Sequence, residues 1–206
     1  MPSSTFLNLP AEKQEKLLEA ATREFSHRPF NEASINQIIK EAGIPRGSFY
    51  MYFADKQELF AYLLEDFGRQ MEERISRLLD GRRGDLFAAF LDLYDEMARE
   101  RERGEVQELM DIFRCNRQLS PGVFVRQEGK DSRMERLAGR IDQSLLDLRR
   151  AEDLENLFHL LVTVTAGALM AAGCSGDPAG ARRRLVQMFH ILERGAASRA
   201  AAPASG

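Results

Sequence analysis

Apolar residues recur at helical spacing along nearly the whole chain. In the clearest stretch, Ile35, Ile38, Ile39 and Ala42 occupy positions i, i+3, i+4 and i+7, which is the spacing of one face of an α-helix. No pattern typical of a β-strand is longer than residues 123–125. The sequence therefore predicts an all-α protein.

Prolines, glycines and capping residues set the limits of the predicted helices. Ser34 with Gln37, and Asp55 with Glu58, have the spacing of a capping box. Pro178 has the position of a first helical residue. Helices are predicted over about residues 11–26, 34–42, 46–53, 55–80, 86–97, 106–113, 134–148, 157–174 and 178–192, and the tail at 196–206 is predicted to be disordered.

Residues 157–174 form the most apolar stretch of the chain. They include no Asp, Glu, Lys or Arg, and a membrane-spanning helix needs about 20 mainly apolar residues. However, the stretch carries His159, Thr163 and Thr165, and its second half is rich in Ala and Gly. We therefore interpret it as a helix buried on nearly every side rather than as a membrane span.

Residues 34–56 have the layout of a helix-turn-helix, in which the second of two short helices enters the major groove of DNA. A helical wheel of the second helix places Phe49 and Phe53 on the inward face. The outward face has small, apolar and polar-tipped side chains, which suit base edges and phosphates. These residues are Gly47, Ser48 and Met51, flanked by Tyr50 and Tyr52.

The overall charge does not by itself indicate DNA binding. The chain has 29 Lys and Arg against 32 Asp and Glu, and residues 1–60 contain 7 basic and 8 acidic side chains. Much of this acid lies on the helix predicted over 11–26, whose surface can face away from DNA. We predict a modest basic patch of Lys40, Arg46 and Lys56, supplemented by helix N-termini.

The same segment resembles the tetracycline-repressor-like (TetR) family of bacterial transcriptional regulators. The resemblance rests on SINQIIKEAGIPRGSFYMYF at 34–53 and on DKQEL at 55–59. It extends to Ala20, Ala21 and the phenylalanines that follow them, so that it covers about residues 11–71. The rest of the chain shares only length and helicity with the family.

The resemblance implies an all-helical protomer with two domains. An N-terminal three-helix DNA-binding domain is expected at 11–71, and a C-terminal helical domain for effector binding and dimerisation at 72–195. The implied partners are double-stranded operator DNA, a small-molecule effector and a second copy of the chain. At the DNA, the resemblance implies phosphate contacts from Ser34 and Lys56, and recognition-helix contacts from Arg46, Gly47, Ser48, Tyr50 and Tyr52, with Met51 at a variable position.

The expected C-terminal domain has residues for an effector pocket and for a dimer interface. An apolar and adaptable lining with a few polar groups would suit an apolar or aromatic ligand. The predicted pocket residues are Phe87, Phe90, Tyr94, Met97, Met110, Phe113, Cys115, Asn116, Phe124 and Met134. The predicted dimer residues are a row of small side chains and an apolar face on the next helix, namely Thr163, Gly167, Ala171, Leu185, Met188, Phe189 and Leu192.

Cysteine usage and the N-terminus indicate a cytoplasmic protein. Cys115 and Cys174 are the only cysteines, too few for a disulfide scaffold, and they suggest a reducing compartment. Arg114 beside Cys115 raises the idea of a redox sensor, although a structural thiol is the default. Residues 1–10 have no basic residue ahead of an apolar run, so we predict no secretory signal.

Two function classes remain open. The favoured one is a dimeric repressor that binds a palindromic operator and is released by an effector. The alternative is an all-helical enzyme or binding module that uses the C-terminal pocket, although the sequence has no convincing nucleophile–base pair and no phosphate loop. Glu155, His159 and His190 would need further ligands to hold a metal, so we predict no metal or cofactor.

Overall fold

The computed structural model describes residues 2–103, 107–116 and 133–195. These residues contain no β-strand, in agreement with the predicted all-α fold. The helices are α1 (Ser4–Leu7), α2 (Ala11–His27), α3 (Ile35–Ala42), α4 (Arg46–Tyr52), α5 (Lys56–Gly81), α6 (Leu86–Glu102), α7 (Gln107–Cys115), α8 (Arg133–Ala138), α9 (Asp153–Ser175) and α10 (Pro178–Arg194), and a 3₁₀ turn spans Gln143–Leu145. The predicted tail at 196–206 and the break at 120–122 lie outside the described residues.

The N-terminal core is built by α1–α4 and the first turns of α5. Leu17, Phe25 and Ile38 meet there with Phe49 of α4 and with Phe53, which directly follows α4. Phe6 of α1 is also fully buried in this core, with its ring 4.8 Å from that of Phe53. The N-terminal core therefore includes a residue that lies ahead of residue 11.

The turn between α3 and α4 depends on Gly43. Its φ is 67°, in the left-handed region that favours glycine, and this ends α3. The next residue, Ile44, donates its backbone N–H to the carbonyl of Ile39, which closes the helix end. Pro45 then precedes the first residue of α4, so that α3 and α4 form the predicted helix-turn-helix.

The C-terminal core lies between the second half of α5 and helices α6, α8, α9 and α10. Leu79, Phe90, Leu161 and Leu185 are among its fully buried side chains. Since α5 contributes to both cores, it is a continuous rod between the two domains.

Helix α7 also joins the two domains. It packs along α2, and its Ile112 is buried in the N-terminal core. On the opposite side of the helix, Met110 packs against the C-terminal core. Two helices, α5 and α7, therefore connect the domains.

The helix predicted over 134–148 is wrong beyond Ala138. Gly139 follows the last residue of α8, and the short 3₁₀ turn begins only after Asp142. The backbone N–H of Asp142 donates to the carbonyl of Gly84 in the α5–α6 turn, at 3.0 Å. This long-range bond takes the donor that a continuous helix would use.

One of the predicted capping boxes is absent. Ser34 lies at the N-cap of α3, but its hydroxyl makes no capping bond. Its backbone N–H, which Gln37 would bind in a capping box, donates to the Glu24 carboxylate at 2.8 Å instead. Asp55 does cap α5 by accepting from the Glu58 N–H at 2.8 Å. Asp177 caps α10 in the same way, as predicted.

Helix α9 is less buried than the sequence indicated. By length and composition it could cross a membrane, but only 33% of its most apolar stretch is buried within the protomer. The prediction of burial on nearly every side is therefore wrong for a single copy. The exposed side includes Leu160 and Met170, which leaves an apolar face that needs an explanation.

Candidate DNA-binding surface and effector cavity

The recognition helix α4 is anchored by Phe49 and Phe53, which are 0% and 1% exposed. Their burial turns the other side of the helix outward, as the helical wheel predicts. Tyr50 is 48% exposed and Met51 is 60% exposed, although large apolar surfaces normally seek burial. Gly47 is exposed as well, and Ser48 is half-buried.

The start of α4 is ordered by Arg46. Its Nη1 donates to Oδ1 of Asn36 on α3 at 2.6 Å, and its guanidinium carbon lies 5.9 Å from the centre of the Tyr50 ring. These contacts fix an exposed cation beside an exposed aromatic ring. Lys40 on α3 is also exposed, whereas Ser34 is half-buried at the start of that helix.

Lys56 is more constrained than the sequence suggested. Its Nζ donates to the carbonyl of Ala33 at 2.7 Å and to that of Asn31 at 3.3 Å. The same ammonium lies 4.8 Å from the centre of the Phe30 ring. Lys56 therefore ties the start of α5 to the loop before α3, and at most one of its three N–H groups is left for a phosphate.

Tyr52 is half-buried, unlike Tyr50. Its ring centre lies 6.1 Å from that of Phe6. Ser3 adds two contacts to this end of α4, since its N–H donates to the Tyr52 carbonyl at 2.9 Å and its hydroxyl to the Met51 carbonyl at 2.6 Å. The sequence interpretation missed this support, because a four-residue helix leaves no periodic signal.

The described residues line an apolar cavity of about 110 Å³ in the C-terminal domain. Helices α5, α6, α7, α8 and α9 all contribute to its wall. Five residues predicted for the effector pocket line it, namely Phe90, Met97, Met110, Phe113 and Met134.

Four other predicted pocket residues lie elsewhere. Phe87 packs edge-on against Phe189 at 5.6 Å, and the Tyr94 hydroxyl donates to the carbonyl of Pro178 at 2.8 Å. Cys115 and Asn116 face α2 and the loop after it rather than the cavity, because each residue along a helix turns the side chain by about 100°. Phe124 lies outside the described residues.

The sequence interpretation also missed two walls of the cavity. One wall is α5, which contributes Phe67, Met71 and Ile75, and the other is α9, which contributes Phe158, Val162, Thr165 and Leu169. The spacing of these residues marks an apolar face, but a core and a cavity produce the same spacing. The apolar spacing on α5 and α9 was therefore visible in the sequence, but it could not show that these faces border a cavity rather than a packed core.

Charged side chains close the α5–α8 side of the cavity in a network. Arg133 donates to Glu65 at 2.8 Å and to Glu72 at 3.2 Å, and Arg136 donates to Glu72 at 2.5 Å. These bonds, led by that from Arg136, hold the pKa of Glu72 below its usual value despite partial burial. Gly68 makes room for the Arg133 guanidinium, because a Cβ there would lie 2.6 Å from Nη1.

Asn116 at the end of α7 holds the N-terminal domain directly. It is fully buried, and its Oδ1 accepts the backbone N–H of Phe30 at 2.7 Å. Its neighbour Cys115 donates to the carbonyl of Ser26 at 3.1 Å. Both residues therefore connect the domains instead of orienting an effector.

The predicted dimer face is partly corrected. Leu185 and Phe189 are buried in the core of the protomer and cannot present a face to a second copy, and Leu192 is half-buried. Thr163, Gly167, Ala171 and Met188 are exposed. Three exposed apolar residues that the sequence interpretation did not include lie on the same two helices, namely Leu160, Met170 and Ile191.

Among the described residues, no group of three or more His, Cys, Asp or Glu side chains is arranged to hold a metal ion. His190 instead lies 2.9 Å from the carboxylate of Glu193.

Sequence similarity to known proteins is confined to the N-terminal part of the chain in the following matches. A sequence model of the bacterial regulatory proteins of the tetR family matches residues 17–63. The HTH-type transcriptional regulator YdgC of Bacillus subtilis (strain 168) is 41% identical over 68 residues, which cover 33% of this chain and 35% of YdgC. This match thus spans about a third of the relative's length, and YdgC is named as a transcriptional regulator rather than as an enzyme.

Solved structures extend the likeness to the whole fold. NemR of E. coli in its reduced form has a TM-score of 0.58 at 21% identity, and the match covers 87% of this chain and 96% of NemR. A TetR-family transcriptional regulator from Pectobacterium atrosepticum has a TM-score of 0.52 at 23% identity, with 90% and 95% covered. At these identities the likeness shows the fold alone.

The fold and the exposed face of α4 define a helix-turn-helix protein with a helical C-terminal domain. In residues 17–63 the chain is similar to the TetR family of bacterial regulatory proteins.

Proposed function

We propose that the chain is a cytoplasmic, dimeric transcriptional repressor that binds a palindromic operator and releases it when a small molecule enters the C-terminal cavity. The observation that carries this proposal is the exposed face of α4 in a TetR-type domain, connected by two helices to an apolar cavity. The exposed face of α4 alone would support DNA binding without a response to a ligand, and the cavity alone would support ligand binding without DNA binding.

At the DNA, α4 enters the major groove with its exposed face toward the bases. Gly47 lets the backbone approach closely, and Met51 and Tyr50 offer apolar surface and a hydroxyl to base edges. Arg46 and Lys40 reach the phosphates on the groove walls, which position the protein without reading sequence. Ser34 and the remaining N–H of Lys56 add further backbone contacts.

Two copies pair through the exposed faces of α9 and α10. Thr163, Gly167 and Ala171 let a second helix approach closely, while Leu160, Met170, Met188 and Ile191 supply apolar area. A two-fold axis through this face would set the two copies of α4 about 34–36 Å apart, one turn of DNA, or a multiple of it. A palindromic operator follows from that symmetry.

The effector acts through α5 and α7, since each helix lines the cavity and also packs in the N-terminal core. A ligand that shifts either helix changes the spacing of the two DNA-binding heads. Typical couplings of about 1–3 kcal/mol would weaken operator binding about 5–150-fold.

The test is fluorescence anisotropy with duplex DNA from upstream of the chain's own gene and with a scrambled duplex. The wild-type protein is expected to prefer the upstream DNA by at least about 1,000-fold. A Tyr50→Ala, Met51→Ala variant is expected to lose this preference, whereas Leu145→Ala, which truncates an equally exposed apolar residue, is expected to keep it. Equal affinity of the wild-type protein for both duplexes would show that it does not recognise an operator in the upstream DNA. That result would favour the alternative of an enzyme or binding module that uses the C-terminal pocket.

Repression is tested with a reporter fused to the same upstream DNA. Deletion of the gene is expected to raise expression, and complementation with the wild-type chain is expected to lower it. A fall in expression on deletion would instead identify an activator.

A further inference from the structure

The cavity wall is almost entirely hydrocarbon, and the hydroxyl of its one neutral polar side chain, Thr165, is buried rather than exposed to the cavity. Thr165 on α9 lines the cavity and is 2% exposed. Its hydroxyl is the one buried side-chain polar atom without a hydrogen-bond partner in the part of the chain that the structure describes. Buried polar groups are nearly always paired, so this hydroxyl is an exception that calls for a reason.

A threonine in a helix can satisfy a buried hydroxyl with a bond inside its own helix. Its hydroxyl can donate to the backbone carbonyl one turn earlier, here that of Leu161. Thr165 makes no such bond. A valine would have the same shape without the unpaired group, so the free protein gains no stability from the hydroxyl.

The charged groups in the wall are already engaged with one another. Arg133 and Glu72 line the cavity, but Arg133 bonds to two carboxylates and Glu72 is held by two arginines. A ligand carboxylate would have to displace one of these carboxylates from Arg133 and would lose its hydration on entry. The cavity therefore selects against ions.

The size of the cavity limits the ligand further. Its volume of about 110 Å³ can be compared with an engineered apolar cavity of about 150 Å³ that binds benzene. A single ring or a short branched chain fits this space without a large movement of the helices.

We propose that the cavity binds a neutral, ring-sized apolar molecule whose single hydroxyl or carbonyl group pairs with the Thr165 hydroxyl, which a rotation about the Cα–Cβ bond turns toward the ligand. This inference rests on the proposed function, because it names the class of effector for the same cavity. The hydroxyl can donate to a carbonyl or accept from an alcohol or phenol.

Titration calorimetry of the full chain with three matched probes tests the proposal. p-Cresol has the ring and one hydroxyl, toluene lacks the hydroxyl, and benzoate carries a charge. The wild-type protein is expected to bind p-cresol about fivefold to tenfold more tightly than toluene, the gain of one hydrogen bond. Benzoate is expected to show no binding at the same concentrations.

Thr165→Val isolates the hydroxyl. The variant is expected to bind p-cresol no more tightly than toluene, because the ligand hydroxyl would then be buried without a partner. Without ligand it is expected to melt at or above the wild-type temperature. Thr22→Val on α2, away from the cavity, is the matched control and is expected to keep the wild-type preference. The melting temperature separates the lost contact from misfolding.

Three results would overturn the inference: tighter binding of benzoate than of p-cresol, an unchanged preference in Thr165→Val, or no binding of p-cresol and toluene by the wild-type protein. Each leaves the proposed function intact if the wild-type protein still prefers the upstream duplex. If the wild-type protein binds p-cresol but does not prefer the upstream duplex, the proposed function is overturned and the inference about the cavity is kept.

Discussion

Neighbouring side chains on α4 differ sharply in burial and in role within one turn of the helix. Phe49 is fully buried and holds the helix to the domain, while Tyr50 and Met51 next to it are about half exposed or more. An exposed tyrosine beside Arg46 is unfavourable for packing but suits a groove lined with polar edges and phosphates.

Tyr50 is a spectroscopic probe of this surface. The chain has no Trp and four Tyr, and Tyr62 and Tyr94 both pack into the cores. We expect specific DNA to change the tyrosine emission and Tyr50→Phe to remove most of the change. Tyr52→Phe should remove less, because Tyr52 packs on Phe6. Tyr62→Phe is the control, and a full emission change in Tyr50→Phe would place Tyr50 away from the DNA.

Lys56 combines two internal hydrogen bonds with the proposed phosphate contact. Lys56→Ala is expected to lower the free energy of unfolding by about 1–3 kcal/mol, because two carbonyls lose a charged donor. It is also expected to lower the slope of log affinity against log salt by about one unit. Urea unfolding and salt titration of DNA binding measure the two effects. Lys16→Ala, at an exposed pair with Glu12, is the control, and lower stability with an unchanged slope would leave Lys56 a purely structural residue.

At the scale of elements, local sequence signals were sufficient to predict the helix-turn-helix. Gly43, Pro45 and the two inward phenylalanines act within a few residues of one another, so periodicity and turn chemistry reveal them. The bonds of Lys56 could not be predicted, because its acceptors belong to a loop without a periodic pattern. Asn116 was misassigned for a related reason, since proximity to Phe113 along the chain does not mean a shared face.

Helix α7 depends on Asn116 to hold the N-terminal domain. Asn116→Ala would leave the buried N–H of Phe30 without its acceptor and is expected to cost about 1–3 kcal/mol of unfolding free energy. Exposed Asn156→Ala should cost less than about 0.5 kcal/mol. Denaturant unfolding measures both. An Asn116→Ala variant as stable as the wild-type protein would mean that the contact is dispensable.

The attachment of α8 to α5 is expected to depend on pH. The pKa of Glu72 is lowered in the folded state, so its contribution is present at neutral pH and is lost as pH falls from the unfolded value, about 4.3, through the lower folded pKa. Glu72→Gln is expected to cost on the order of 2 kcal/mol at pH 7 and progressively less toward pH 3. Unfolding of both proteins across this range measures the difference, and a constant difference would show that ionisation of Glu72 is unimportant.

For the whole molecule, the exposed apolar face of α9 and α10 would, as the proposed two-fold interface, link the cavity to the geometry of DNA binding. Helix α9 lines the cavity with Thr165 and turns Thr163 and Gly167 outward, so that a ligand and a second copy would contact opposite sides of one helix. A Cβ at Gly167 would meet no atom within 4 Å, so the protomer itself does not require glycine there. Close approach of another helix supplies a reason for it.

A Met188→Glu, Ile191→Glu variant tests this arrangement. Both side chains are exposed in the protomer, so its fold should be retained, but two-fold pairing would bring the new carboxylates against an apolar surface and near their own copies. Sedimentation equilibrium at micromolar concentration is expected to give the mass of a dimer for the wild-type protein and for Leu7→Glu, and that of a monomer for the double variant. Since a monomer occupies only one half-site, its operator affinity should fall by at least about 100-fold. A dimeric double variant would move the interface elsewhere, and a monomer with full operator affinity would show that DNA binding does not need pairing.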